Sequence, residues 1–272
     1  MHTQKTSTLK TVAWLLGSTR DLLPPLLLAC VLACATRLAS LGIYVIAGLG
    51  LAKALQLDTG LLPAGTGWGM LAAAVIFLGL AKGALRYLEQ YVGHRVAFLS
   101  LARLRNRMYE AFERQAPFTA GTKNSGGMLA KATSDIDKVE VFFAHTLPPA
   151  VAAVVVSALA TWGTWSLFGS EPALVLLAGY VLIGVLIPAI GVGSLRSSAR
   201  STAAARGVQN QLLTDTLAGI DVIHGFNAGK PVMESLRGSL QQTRQAARST
   251  GSWTAVRATL TQLVIWGSLL TL

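Results

Sequence analysis

Charge is scarce in this chain. Only 13% of its 272 residues are Asp, Glu, Lys or Arg, against about 25% in an ordinary soluble protein. The acids are scarcer still, 12 against 23 Lys and Arg. A water-soluble domain of this length cannot cover its surface with so few charges, and a disordered chain is not 52% hydrophobic. Cysteine is nearly absent. Cys30 and Cys34 both sit in one apolar run, which excludes a disulfide framework and a cysteine-rich metal site. No HExxH and no Ser–His–Asp arrangement with supporting context occurs. The nearest approach to a phosphate-cradling G-x-x-x-x-G-K-[ST] loop is Gly225 to Pro231. It is one residue short, has Pro for Ser/Thr and follows no strand, so it is not a nucleotide site.

What the chain does have is long apolar runs, with a mean hydropathy of +0.53. The first extends from Leu22 to Leu57, too long for a signal peptide and long enough to span a bilayer. The stretch Asp58 to Gly69 is a Gly- and Pro-containing loop. A second span starts near Trp68 and runs to about Val92. Leu101, Leu104, Met108 and Phe112 then recur at helical spacing among Arg103, Arg107, Glu110 and Arg114, which predicts an amphipathic rod continuing into water to about Ala116. Pro117 to Gly127 is expected to break it. A third helix begins polar, turns apolar at Val141 and crosses to about Phe168. After a turn at Gly169 to Pro172, a fourth span is expected from Ala173 to about Leu195. A polar helical stretch follows from Arg196 to about Arg248, interrupted near Gly225 to Pro231, and a fifth apolar run starts near Val256. The fold class is therefore all-α and polytopic.

The basic residues orient this topology. Neither Ala54–Ala81 nor Val139–Leu195 contains a Lys or Arg, whereas the stretches Lys82–Lys138 and Arg196–Arg257 are rich in them. By the positive-inside rule the N-terminus and both polar excursions are cytoplasmic and the two short loops external, in a multi-pass protein of the cell (inner) membrane. The same rule accounts for a pI near 10.2 without invoking nucleic acid. The last run is strongly apolar for only about 13 residues where spanning takes about 20, so the chain reads as part of a longer protein, its fifth helix cut short.

Two helical pairs reaching far into the cytoplasm, each bent by a short break, resemble the transmembrane domain of an ABC exporter. Asn124-Ser125-Gly126-Gly127-Met128-Leu129, followed by Ser134-Asp135-Ile136-Asp137, resembles the family's N-S-G-[DE]-L-L…D-[IV]-[DE] stretch, departing at Gly127, where an acid is usual. The run Leu217 to Phe226 is similar to the second intracellular loop, with His224 in place of the usual basic residue. Within the superfamily, Arg86-Tyr87-Leu88-Glu89-Gln90-Tyr91-Val92-Gly93-His94, then Phe98, Leu101, Leu104-Arg105 and Pro117, resembles the CydC/CydD-type exporters linked to cytochrome bd assembly. The Asp that often follows that His is Arg95 here.

The resemblance implies that residues 1–272 are an exporter transmembrane domain with five of six helices and without its nucleotide-binding domain. ATP and Mg would be bound by that missing domain, and the chain itself is not an enzyme. Implied partners are the nucleotide-binding domain, the lipid bilayer and a second exporter half, as homo- or heterodimer with the heterodimer favoured. The implied cargo is a thiol compound such as cysteine or glutathione. Other ABC cargo classes (drug, lipid, peptide) and a non-transporting scaffold or receptor are the alternatives. Haem association also belongs to the resemblance, with His94 at the matching position and Arg86 or Arg95 as propionate partner.

Charges inside the spans single out further residues. Arg37 lies mid-span in the first helix, and Lys82, Arg86 and Glu89 follow i, i+4, i+7 in the second. Charge at the bilayer centre costs at least about 2.5–3.5 kcal/mol, so such groups face partners or a wet cavity. One reading is a structural Arg86–Glu89 pair. The other is a net-positive cavity for anionic or zwitterionic cargo. For contact with the nucleotide-binding domain, the expected residues are Phe118 and Gly121 in the first break and Ile220 and Phe226 in the second. Gly79 and Gly83 fit G-x-x-x-G, expected to mean helix packing. Cys30 and Cys34 read as small apolar fillers.

Overall fold

The computed structural model describes residues 17, 20–57, 59–63, 65–119 and 138–271. Among them no strand occurs, and eight α-helices organise the chain, one of them the single turn Ile187–Ala189. Four helical stretches, Arg20–Ala54, Trp68–Ala111, Lys138–Phe168 and Ser170–Ala189, are long and apolar enough to cross a membrane. The chain divides into two compact units, up to Leu159 and from Ala160 onward.

In the first unit a short 3-10 turn at Arg20–Leu22 leads into α1, Leu23–Ala54. Pro24 and Pro25 open it, where the missing N–H groups are spare and the fixed φ suits a helix start. The helix ends in a loop clasped by Lys53, whose ammonium bonds the Thr66 carbonyl and stands 5.3 Å from the centre of the Trp68 ring. Trp68 begins α2, Trp68–Thr119, which packs along α1. At about 1.5 Å per residue its 52 residues are far longer than a hydrocarbon core of about 30 Å, as the amphipathic rod requires. The helix runs through Pro117 to Thr119, three residues past its expected end at Ala116. A proline disrupts bonding toward the preceding turn and leaves the residues after it free to stay helical. The stretch from Asn124 to Asp137 that carries the first resemblance lies outside the described residues, as does Gly121.

Chain re-entry is built on a π-helical turn, Val141–Thr146, which delivers α3, Leu147–Phe168. The Leu147 N–H reaches the Phe142 carbonyl, and Pro148 and Pro149 follow at once. The widened turn sits where two consecutive residues have no N–H to give. It inserts Phe143 among Leu22, Leu26, Val96 and Ala97, the buried cluster of this unit.

In the second unit Gly169 alone makes the turn into α4, Ser170–Val181, with φ +92°, a conformation that L side chains resist. A second π turn, Leu182–Leu186, again precedes a proline, Pro188 in the helical turn Ile187–Ala189. The fourth span ends there, not near Leu195. Ile190 is extended, Gly191 is left-handed at φ +68°, and α5, Val192–Ala218, starts in a new direction. After Gly219 come the short α6, Ile220–Gly225, and then α7, Gly229–Thr271. The second interruption therefore has two points, Gly219 and Phe226–Ala228, and Pro231 lies in the first turn of α7 rather than in the gap. Helix α7 packs against α5 and α4, with Thr243 donating a 3.2 Å hydrogen bond to Gln209 across the α5–α7 pair.

A β-carbon on Gly191 would stand 2.5 Å from the Trp253 ring, whereas at Gly79 and Gly83 it would meet no atom of the described residues within 4 Å.

Candidate translocation and coupling sites

The charges in α1 and α2 occupy comparable depths. Measured from the loop that joins the helices, Arg37 lies about 25 Å down α1, and Lys82, Arg86 and Glu89 lie about 21, 27 and 32 Å down α2, from the helical rise alone. The structure brings two of them together. Arg86 Nη1 is 2.8 Å from Glu89 Oε1, a charged hydrogen bond one helical turn apart. Glu89 is 6% exposed, and its second oxygen has no hydrogen-bond partner among the described residues. Arg86 leaves nearly half its side chain exposed. Arg37 is exposed and Lys82 half-buried, and among the described residues no ion pair reaches either. Arg86 and Glu89 thus offset each other's charge, whereas among the described residues no acid pairs with Arg37 or Lys82. Both cysteines are free thiols, Cys30 buried and Cys34 half-buried.

In the coupling region, Phe226 is 82% exposed and Ile220 is exposed as well. Phe226 closes α6, its N–H bonded to the Val222 carbonyl and its ring in solvent. Phe118 belongs to the last turn of α2 rather than to a break.

Around His94, Tyr87 stacks on Tyr91 at 6.4 Å, and the His94 ring stands 6.1 Å from Phe98. Sequence reasoning missed the residue opposite. His145, on the π turn, meets His94 edge to face with ring centres 5.2 Å apart. No spacing rule links residues so distant in the chain, and only the packing of the π turn on α2 reveals the pair. The two rings already touch edge to face, which leaves no room between them for a flat macrocycle. Arg86, one of the two expected propionate partners, is engaged by Glu89. The residues here do not fit a haem held between the two histidines.

The break at Ile190–Gly191 was also missed. Arg257 of α7 donates from Nη2 to the carbonyls of Pro188 and Ile190, both at 2.7 Å, and from Nε to Ile190 at 3.1 Å. These are the carbonyls that the break releases from their helical partners.

Long apolar helices with intramembrane charge, two of them prolonged well beyond membrane thickness, define a polytopic membrane protein of the transporter type. The transmembrane region of ABC transporters matches residues 15–271, and the chain belongs to that family. It is 34% identical over 200 residues to a probable ABC transporter ATP-binding/permease protein of Haemophilus influenzae, covering 74% of this chain and 35% of that protein. It is 29% identical over 148 residues to the glutathione/L-cysteine transport system ATP-binding/permease protein CydD of Bacillus subtilis, covering 54% and 25%. With the corresponding CydC protein of Escherichia coli it shares 27% over 238 residues, covering 87% and 41%. The chain spans between a quarter and about two fifths of the length of these relatives. It is the membrane domain of an ABC exporter resembling the CydC/CydD type.

Proposed function

We propose that residues 1–272 are the membrane-spanning half of an ATP-driven exporter that moves a small anionic or zwitterionic solute out of the cytoplasm, a thiol compound such as cysteine or glutathione being the first choice. The observation that carries the cargo class is the charge of the first unit. Arg37 and Lys82, with no ion pair among the described residues, lie at a depth similar to that of Arg86, which is paired with Glu89 but nearly half exposed. Charge placed there is costly unless it serves a partner or a wet cavity, and an anionic group recovers that cost by pairing. The printed names of two relatives supply the thiol compounds.

In this reading ATP and Mg are bound by a nucleotide-binding domain outside the chain, since no phosphate loop is present in it. A second exporter half, a heterodimer partner by preference, completes the cavity in the inner membrane. The N-terminus and the two polar excursions face the cytoplasm. Phe118, Gly121, Ile220 and Phe226 form the contact with the nucleotide-binding domain. An aromatic ring held in water at a short polar break, as at Phe226, favours such a partner.

Reconstituted full-length protein with its partner should show ATPase activity stimulated by cysteine, glutathione and similar zwitterions, and not by cationic drugs. Stimulation by lipophilic cations alone would favour the other cargo classes. No ATPase activity with any solute would favour a scaffold.

A further inference from the structure

Helices α5 and α7 run side by side, and the Thr243–Gln209 bond fixes their level. One side of the pair is a groove of ≈ 680 Å3. Its floor is built of Ala203, Ala247, Gly251 and Ala255, and Arg206 stands at one end. The floor leaves space open, since a β-carbon on Gly251 would meet nothing within 4 Å. Arg244, next to Thr243, lies within a turn of the level of Arg206 and seven residues before Gly251, on the same face of α7. Both arginines are exposed, and their surroundings hold no acid to cover them. Neither Val192–Thr214 nor Ser235–Leu272 contains an Asp or Glu, whereas together they contain seven Arg. The groove also holds an unsatisfied hydroxyl. Thr202, Thr243, Thr254 and Thr261 each donate from Oγ1 to the carbonyl four residues earlier. Thr250, which lines the groove, does not, and its Oγ1 is shielded from water without a hydrogen-bond partner among the described residues. Buried hydroxyls are normally paired. A helical threonine has two accessible χ1 rotamers, so Thr250 can turn its hydroxyl toward a ligand in the groove.

We propose that the α5–α7 groove binds a peptide-sized organic anion from the aqueous phase. Its carboxylates pair with Arg206 and Arg244, and its body lies on the alanine and glycine floor, bonded by the Thr250 hydroxyl. Arginine grips a carboxylate through two parallel hydrogen bonds. From Ala247 to Ala258 the groove is about 16 Å long. That is room for a tripeptide, which extends at most about 11 Å. The bilayer does not supply the occupant. The fourth span ends at Ala189, and Trp253 lies against Gly191 just beyond it. Arg206 lies about 22 Å past Gly191 along α5, and Arg244 about 14 Å before Trp253 along α7. Both distances exceed a headgroup layer of about 5–8 Å on each side of the hydrocarbon core. The site lies within the second unit and rests on that unit's own charges, so it does not depend on the transport reading.

The test uses the full-length protein with its partner in nanodiscs of neutral phospholipid, titrated calorimetrically with acetyl-Ala-Ala-Asp. The two carboxylates of this peptide sit at one end of an apolar body. The parent should bind it saturably, and the neutral acetyl-Ala-Ala-Asn amide should not bind. Arg206→Gln and Arg244→Gln should each weaken binding at least about tenfold, which is what one charged hydrogen bond is worth. Both side chains are exposed, so these variants should fold. Gly251→Leu fills the floor where nothing stands in the way of a side chain. It should abolish binding without lowering the Tm, since leucine favours a helix more than glycine does. Thr250→Val should weaken binding without abolishing it. Absence of saturable binding by the parent, or equal affinity in the parent and in Arg206→Gln or Gly251→Leu, would overturn the site. Inorganic phosphate binding as tightly as the peptide would reduce it to charge attraction without a floor and overturn it as well. A heat signal that appears only when anionic phospholipid is added would give the groove to lipid, against the proposal.

Discussion

The Trp253 ring lies directly against Gly191, occupying the space a β-carbon on that glycine would need. The relationship joins α7 to the break below α4, and Arg257, one turn further along α7, bonds the carbonyls that the same break exposes. Gly191→Ala meets two separate obstacles, the ring at 2.5 Å and a φ of +68°. The left-handed conformation alone costs an alanine about 1–2 kcal/mol. We expect a lower Tm in detergent, and only part of the loss should return when Trp253→Ala is added, because the backbone term stays. Additive losses in the double variant would mean that the ring and the glycine do not interact.

Arg86 and Glu89 should behave as a coupled pair. Removing Arg86 leaves a buried carboxylate uncompensated, a defect that costs about 3–5 kcal/mol in a fully buried pair and less here, where Arg86 is half exposed. Arg86→Ala should therefore reduce folding yield more than Lys82→Ala does. Glu89→Gln should restore much of the yield in the Arg86→Ala background. If it restores yield but not stimulation of ATPase by anionic solutes, Arg86 serves both the pair and the cargo. Restoration of both would assign it to the pair alone.

Phe226→Ala should leave folding nearly unchanged, because the exposed ring contributes little packing to this chain. Transport per ATP hydrolysed should fall severalfold if the ring engages the nucleotide-binding domain. An unchanged ratio would remove Phe226 from the coupling contact.

Single cysteines in a background without Cys30 and Cys34 test the orientation. Positions 66 and 170 should react with an impermeant thiol reagent in intact cells, and positions 123 and 227 only after permeabilisation. The warrant is the absence of Lys and Arg from Ala54–Ala81 and Val139–Leu195. Reaction of position 123 from outside would invert the topology.

The spans were legible because their signals are local. Apolar runs of sufficient length, such as Leu22 to Leu57, and periodic residues such as Leu101 and Leu104 belong to one helix each, and the helices appear where those patterns lie. The Ile190–Gly191 break was not legible, since Pro188 and Gly191 sit inside an apolar run and the groups that secure it, Trp253 and Arg257, come from α7. The Arg86–Glu89 pair was foreseen as one alternative because both residues lie on one helix. His145 was not, because its meeting with His94 depends on how a π turn packs on α2. What escaped sequence reasoning was long-range contact, and at Ile190–Gly191 the helix break that such contacts secure.

The central claim is that this chain forms half of an ATP-driven exporter for small anionic or zwitterionic solutes, and uptake into inverted membrane vesicles tests it most directly. Vesicles bearing the full-length protein and its partner should accumulate labelled cysteine or glutathione only when ATP is supplied. Substitution of Arg37 or Lys82 by Gln should lower that accumulation while the protein remains in the membrane at parental levels. Accumulation independent of ATP, or accumulation of cationic or lipid solutes to the exclusion of both thiols, would contradict the account.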